Sequence, residues 1–177
     1  SKLLGRRLPG IVPFLRLAIR IADALGRIHS QDIIHRSIKP AHIHVNRETG
    51  TVQIIDFGAS TLIARVDRTG APAGDGAEEM ATDLKSPESL SYISPEQTGR
   101  MNRVVDQRSD FYSLGVTFYE MLTGRPPFDS RSMDALELIH CHIAVQPEPP
   151  ALPAPEETVD SRDSGFREVP PPVQAIV

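Results

Sequence analysis

The most regular hydrophobic spacing lies near the start of the chain. Between residues 13 and 30, apolar side chains recur at alternating intervals of four and three residues, at Phe14, Ala18, Ile21, Leu25 and Ile28. This interval places them on one face of an α-helix, while arginine and aspartate residues occupy the other faces. The pattern therefore predicts a helix over residues 13–30 whose apolar face lies in the core.

Two short runs rich in β-branched residues follow at residues 43–45 and 52–55. The residues between them include Asn46 and Gly50, which are typical of turns. We therefore expect a small β-hairpin. Residues 65–87 are rich in Ala, Gly, Asp and Glu and show neither the helical nor the strand period, which predicts a flexible loop.

A second helix is predicted over residues 110–122, where apolar side chains that include Phe111 and Phe118 return at helical spacing. Gly124 ends this helix, because glycine readily adopts the left-handed conformation that follows a helix C-terminus. Small residues along this segment allow close packing, so we expect the helix to be buried.

A third helix is predicted from Ser132, as its N-cap, to Ala144. After Gln146 the chain becomes rich in proline and acidic residues, which is typical of a linker or an extended insert. We expect this segment to end, by residue 177, in the start of a further helix that is cut short.

Composition excludes several classes of protein. The chain has 177 residues, with 19 Lys and Arg against 23 Asp and Glu, and it contains no block of basic residues. We therefore expect no nucleic-acid or membrane partner. The single Cys141 allows neither an internal disulfide nor a CxxC metal site, and no export signal is evident. These features favour a cytoplasmic location.

Three motifs in the middle of the chain indicate the chemistry. In chain order they are His35-Arg36-Ser37-Ile38-Lys39-Pro40-Ala41-His42-Ile43, Asp56-Phe57-Gly58 and Tyr92-Ile93-Ser94-Pro95-Glu96. They resemble the catalytic loop, the magnesium loop and the end of the activation segment of eukaryotic-type Ser/Thr protein kinases, HRDLKPxNI, DFG and APE. With residues 109–115, the resemblance covers residues 15–144. It is similar in particular to the N-terminal kinase-like domain of hybrid Ser/Thr-histidine kinase sensors of fungi and bacteria.

The resemblance implies an α+β, mostly helical fold: the C-terminal lobe of a protein kinase, with a small hairpin and a long activation segment. No Gly-rich phosphate loop and no strand lysine precede the first helix, so we expect this chain to hold the C-terminal lobe without the N-terminal lobe. The expected organisation is a connector over residues 1–12, a kinase-like lobe over 13–145 and a linker over 146–177. The activation segment would cover residues 56–96.

The resemblance also implies roles for individual residues. In the family, ATP with Mg²⁺ is the phosphate donor and a Ser/Thr hydroxyl of a protein substrate is the acceptor. Asp56 corresponds to the magnesium ligand, Lys39 to the residue that contacts the transferred phosphate, and Arg36 to the arginine that binds a phosphorylated activation segment. Structural or regulatory positions of the family are His35, Phe57, Gly58, Ser89, Glu96 and Asp110.

Two residues depart from the family pattern. Ser37 stands where the family has its base aspartate, and a hydroxyl cannot hold a negative charge near neutral pH. Loss of a positioned base costs ~10²–10⁴ in rate. His42 stands where the family has an asparagine ligand, and Mg²⁺ disfavours imidazole, so His42 is at most a weak cofactor and metal ligand.

These departures predict a catalytically impaired, pseudokinase-type module that regulates or binds other modules of the same larger chain. Two alternatives remain open. One is a weak but genuine Ser/Thr kinase in the full-length protein, and the other is a truncated gene product without function. A minor hypothesis for the site itself is zinc bound by His42, His44 and Asp56, since alternate strand residues share a face.

Overall fold

The computed structural model describes residues 10–46, 48–62 and 86–151. Within these residues the protein is a mixed α+β structure in which helices dominate. The predicted loop lies outside the described residues up to residue 85, as do residues 1–9 of the connector and residues 152–177 of the linker. None of the described helices combines the length and apolar content needed to cross a bilayer.

The first helix, α1 (Ile11–His29), confirms the longest predicted element. Phe14 and Leu25 are among the buried residues on the predicted face. The last position of that face differs from the prediction, because His29 is buried and Ile28 is only half-buried. The step of four residues from Leu25 to His29 continues the same face, and the imidazole there finds a buried carboxylate partner, described below.

The described part of the chain contains four short strands, β1 (Ile33–Ile34), β2 (Ile43–Val45), β3 (Val52–Ile54) and β4 (Thr61–Leu62). They form two separate two-stranded antiparallel sheets, β1 with β4 and β2 with β3. The β2–β3 pair is the predicted hairpin, which is confirmed. The β1–β4 pair was not predicted, because strands of two residues show no periodicity.

The hairpin turn depends on Asn46 and Gly50. The Asn46 amide donates to the Thr51 carbonyl over 2.9 Å, and the Asn46 side chain accepts hydrogen bonds from two amides inside the turn. Gly50 has φ +67°, a left-handed conformation that glycine adopts without a steric penalty. Arg20 of α1 donates to the Gly50 carbonyl over 2.7 Å, which fastens the hairpin to the helix.

Three helices follow, α2 (Pro87–Leu90), α3 (Gln107–Thr123) and α4 (Ala135–Ala144), and short 3-10 helices span Pro40–His42 and Pro95–Thr98. The second predicted helix is α3. It starts three residues earlier than predicted because the Asp106 side chain caps it, accepting from the Arg108 amide over 2.8 Å.

Other details of these two helices differ from the predictions. In α3, Phe111 is 54% exposed, so its assignment to the core was wrong; its ring meets the edge of the His29 ring. Helix α4 is the third predicted helix, but its predicted start at Ser132 was also wrong. Asp134 is the N-cap and forms a reciprocal capping box with Glu137, which satisfies more backbone donors than a lone serine does.

The core consists of two apolar clusters. The larger one fills the space between α1, the hairpin and α3, where the Phe14 and Phe118 rings meet edge to face with centroids 5.7 Å apart. The smaller one joins the segment around α2 to α4 through Leu90, Ile93 and Leu138, together with Phe128. The loop that carries the first motif follows β1, and its Ile38 belongs to the larger cluster.

Candidate functional site

One buried carboxylate fixes the loop of the first motif. Asp110, in the first turn of α3, is fully buried and accepts hydrogen bonds from the backbone amides of His35 (2.8 Å) and Arg36 (2.6 Å). The His29 imidazole Nε2 also lies 2.8 Å from the Asp110 carboxylate. A buried carboxylate is costly unless its oxygens accept hydrogen bonds. Asp110 thus holds α1, α3 and the loop at one point.

Two non-glycine residues of the site have a left-handed backbone, Arg36 with φ +67° and Asp56 with φ +66°. Such a conformation costs on the order of 1–3 kcal/mol and persists only where the surroundings enforce it. For Arg36 these surroundings are Asp110, on its amide, and Gln97, whose side-chain NH₂ donates to the Arg36 carbonyl over 2.8 Å. Strained residues of this kind cluster at functional sites.

His35 joins the first two motifs by packing. Its ring is fully buried, with the Phe57 ring centroid 4.8 Å away, and its Nε2 donates to the Ile55 carbonyl over 3.1 Å. Burial lowers the pKa of His35, and the negative charge of Asp110 offsets part of this effect. A neutral, buried imidazole of this kind serves as a structural contact.

The His42 imidazole bridges the loop and Asp56. Its Nε2 lies 2.9 Å from an oxygen of the half-exposed Asp56 carboxylate, and its Nδ1 lies 2.7 Å from the Ser37 carbonyl. The Ser37 carbonyl oxygen and the Asp56 carboxylate oxygen both accept hydrogen bonds. The ring therefore donates at Nδ1 and, in its protonated form, also at Nε2. The other Asp56 oxygen faces the Gly58 amide at 3.4 Å.

The arrangement of His42 and His44 on one strand face was predicted wrongly. His42 ends a 3-10 helix and β2 begins only at Ile43, so the two histidines are not alternate residues of one strand. The His44 side chain is exposed. Across residues 10–46, 48–62 and 86–151, no three His, Cys, Asp or Glu side chains are grouped so as to hold a metal ion. The zinc hypothesis has no support in these residues.

Lys39 and Ser37 line a shared pocket. The Lys39 ammonium donates to the Ser89 hydroxyl over 2.9 Å, and the Ser86 hydroxyl also donates to Ser89 over 2.8 Å. Arg36, Ile93 and Gln97 complete much of the lining. The structure thus brings together the loop and the end of the activation segment, which lie some fifty residues apart in sequence.

Side-chain hydrogen bonds fasten the end of the activation segment to α3, and one of them joins the Ser113 hydroxyl to the Tyr92 carbonyl over 2.8 Å. The Ser109 hydroxyl donates to the Glu96 carboxylate over 2.5 Å, so Glu96 has a partner that the sequence did not indicate. The Tyr92 hydroxyl donates to the Glu120 carboxylate, and burial raises the pKa of both side chains. Neither Ser109 nor Glu120 carried a local sequence signal for this role, because the two contacts join different elements, 13 and 28 positions apart.

Comparisons with known proteins identify the family. A sequence profile of the protein kinase domain matches residues 14–163. The chain is 34% identical over 191 residues to a hybrid signal transduction histidine kinase of Dictyostelium discoideum, covering 76% of this chain and 6% of that protein. It is 37% identical over 146 residues to a probable serine/threonine-protein kinase of Bifidobacterium longum, covering 82% of this chain and 19% of the relative.

A third relative, a serine/threonine-protein kinase of Mycobacterium tuberculosis, is 37% identical over 134 residues, covering 74% of this chain and 19% of the relative. The chain therefore belongs to the protein kinase domain family, and the resemblance inferred from the motifs is confirmed. It spans between 6% and 19% of the length of these relatives.

Proposed function

We propose that this chain is the C-terminal lobe of a kinase domain in a larger signalling protein and acts as a pseudokinase-type regulatory module with impaired phosphotransfer. The observation that carries the proposal is the contact of 2.9 Å between His42 and Asp56, next to a loop with Ser37 in place of the base. The family uses ATP and Mg²⁺ to phosphorylate protein hydroxyl groups.

The position of Ser37 supports the loss of the base. Ser37 and Lys39 line one pocket, and its described lining contains no carboxylate that could replace the missing aspartate. A serine hydroxyl does not accept the acceptor's proton near neutral pH, and the loss of a general base costs ~10²–10⁴ in rate. On this proposal, the pocket lined by Ser37 and Lys39 is where the family would place the acceptor hydroxyl, without a base beside it.

The donor set around Asp56 does not fit the family's magnesium ions. Mg²⁺ requires oxygen ligands in octahedral geometry. The described residues offer one carboxylate here, that of Asp56, and an imidazole nitrogen already contacts one of its oxygens. The second ligand position is His42 itself, which is a poor ligand for a hard cation. A metal ion at Asp56 would compete with this imidazole for one of the two carboxylate oxygens.

The proposed organisation follows the expectations from the sequence, with the kinase-like lobe over residues 13–145, the activation segment over 56–96 and flanking connectors. We propose a cytoplasmic module whose partners are a protein substrate or neighbouring modules of the same larger chain. The similarity to a hybrid signal transduction histidine kinase supports this arrangement. Asp110, Glu96 and His35 would then hold the fold of the lobe.

A weak Ser/Thr kinase is the second candidate. Lys39 and Asp56 are both retained, and two of the similar proteins are serine/threonine-protein kinases. In this case a carboxylate from outside the described residues would have to orient the acceptor hydroxyl.

Phosphotransfer from radiolabelled ATP to a general protein substrate tests the proposal. The full chain should transfer no more phosphate than its Lys39→Ala variant, and activity clearly above that control would overturn the proposal. In the full-length protein, Ser37→Asp combined with His42→Asn should raise the rate by at least ~10² if the base is what is missing. Arg100→Gln, a change at an exposed residue, is the matched control and should leave the rate unchanged.

A further inference from the structure

The side of α1 that faces away from the core carries a second apolar stripe. Four apolar or small residues recur there at intervals of four, three and four, namely Leu15, Ile19, Ala22 and Gly26. This outer stripe has the spacing of a coiled-coil seam. Ile19 is 63% exposed and Ala22 is also exposed, whereas Leu15 is half-buried at the edge of the larger cluster. Outside α1, no described atom lies within 4 Å of the position that a Cβ on Gly26 would take. The outer stripe is thus open to another helix.

Two exposed, oppositely charged side chains border the outer stripe along one edge. Arg16 and Asp23 are seven residues apart, so they lie on the same edge of α1, two turns from each other. Neither side chain forms an ion pair with another described residue. The midpoint between the two charges lies within one residue of the middle of the outer stripe. The edge therefore carries opposite charges at nearly equal distances on either side of the centre of the stripe.

We propose that the outer stripe is an interface between two copies of this chain, in which the two α1 helices pack antiparallel. A two-fold axis that lies in the interface, perpendicular to the helices, brings the equivalent edges of the two helices together. Arg16 then faces the partner's Asp23, and by symmetry the same ion pair forms twice. A parallel pair would put the two charged edges on opposite sides of the interface, where these side chains do not meet. The inference is independent of whether the chain transfers phosphate.

The size of the outer stripe sets the strength of this association. From Leu15 to Gly26 the helix rises ~17 Å, and the axes of packed helices lie about 8–10 Å apart. A contact of this size buries less than the ~1,200 Å² in total that a stable interface needs. We therefore expect a reversible dimer with a Kd of ~10–100 µM, in which the reciprocal charges fix the antiparallel orientation.

Sedimentation equilibrium of the full chain, at about 5–500 µM protein, tests this inference. Arg16→Asp and Asp23→Arg each put like charges opposite one another and should each raise the Kd of the dimer at least ~threefold. The two changes combined restore opposite charges with their positions exchanged, and the Kd should return to within about twofold of the wild-type value. Ile19→Asp, at the centre of the stripe, should raise the Kd at least ~tenfold. Arg100→Asp, at an exposed position outside α1, is the matched control and should leave it unchanged.

Three results would overturn the inference: a monomer at every concentration, a dimer whose Kd none of the single α1 variants changes, or a combined variant that associates as weakly as the single charge variants. The first would assign the outer stripe to a different occupant, and the second would place the dimer interface on another surface. The third would exclude the antiparallel pairing. Far-ultraviolet circular dichroism establishes that each variant is folded.

Discussion

The titration of His142 offers a quantitative test of how α4 is held against α3 and Phe128. His142 is 5% exposed, lies between the Tyr112 and Phe128 rings, and has its Nδ1 2.8 Å from the Tyr112 hydroxyl. Burial lowers its pKa from 6.5 to about 4. Because the folded pKa is depressed, the unfolded chain binds more protons than the folded chain between these values.

The sign and size of the effect follow from linkage. The stability that depends on neutral His142 is fully present above pH 6.5 and is lost as the pH falls towards 4. At pH 5, a folded pKa of about 4 against 6.5 corresponds to a loss of about 2 kcal/mol. This is a large part of the total stability of a domain of this size.

The measurement is urea unfolding, followed by circular dichroism at pH 7.5 and pH 5, of the wild-type chain and a His142→Asn variant. All other groups titrate in both proteins. The difference between the two losses of unfolding free energy on acidification therefore isolates the contribution of His142. The wild type should lose about 2 kcal/mol more than the variant on acidification. His140→Asn, at an exposed position of the same helix, should behave like the wild type. Equal losses in the wild type and His142→Asn would refute the reasoning.

Three further predictions concern the free energy of unfolding, measured in urea at pH 7.5. Asp110→Ala should cost about 3–5 kcal/mol, because it leaves two backbone amides and an imidazole without their buried partner; a cost below about 1 kcal/mol would contradict the anchoring role. Leu25→Ala, in the core, should cost about 2–5 kcal/mol, whereas Ile19→Ala, at a largely exposed position of the same helix, should stay within about 0.5 kcal/mol. Gly26→Ala, in α1 with open space around it, should stabilise by about 0.5–1 kcal/mol, but Gly99→Ala, at φ +69°, should destabilise by about 1–2 kcal/mol; the same sign for both would refute the backbone argument.

Local sequence patterns predicted the elements with strong periodicity or distinct turn residues. The interval of apolar residues located α1, and Asn46 with Gly50 located the β2–β3 hairpin. The predicted starts of the helices were less accurate than the predicted helices themselves. For α4, Ser132 and Asp134 are both suitable N-caps by residue type. Only the reciprocal contact with Glu137, visible in three dimensions, distinguishes the two.

The candidate site was predictable in its members but not in its contacts. The motifs identified Lys39, Asp56 and Ser89 as site residues, yet the partners of these side chains come from distant parts of the chain. The Lys39–Ser89 hydrogen bond joins residues 50 positions apart. The bridge from His42 to Asp56 depends on where the 3-10 helix ends, and the strand pattern on which the zinc hypothesis relied gave the wrong local geometry.

A thermal-shift titration of the full chain with ATP, with and without Mg²⁺ or Mn²⁺, tests the central claim most directly. We predict that adding the metal changes Tm by less than ~1 °C, because His42 contacts one oxygen of the Asp56 carboxylate and replaces the second oxygen ligand that Mg²⁺ prefers. A functional metal–nucleotide site at 100 times its Kd would add ~2.7 kcal/mol, which is ~5–10 °C for a chain of this length. A metal-dependent rise of that size, absent from an Asp56→Ala variant, would contradict the proposal that the metal site is disabled.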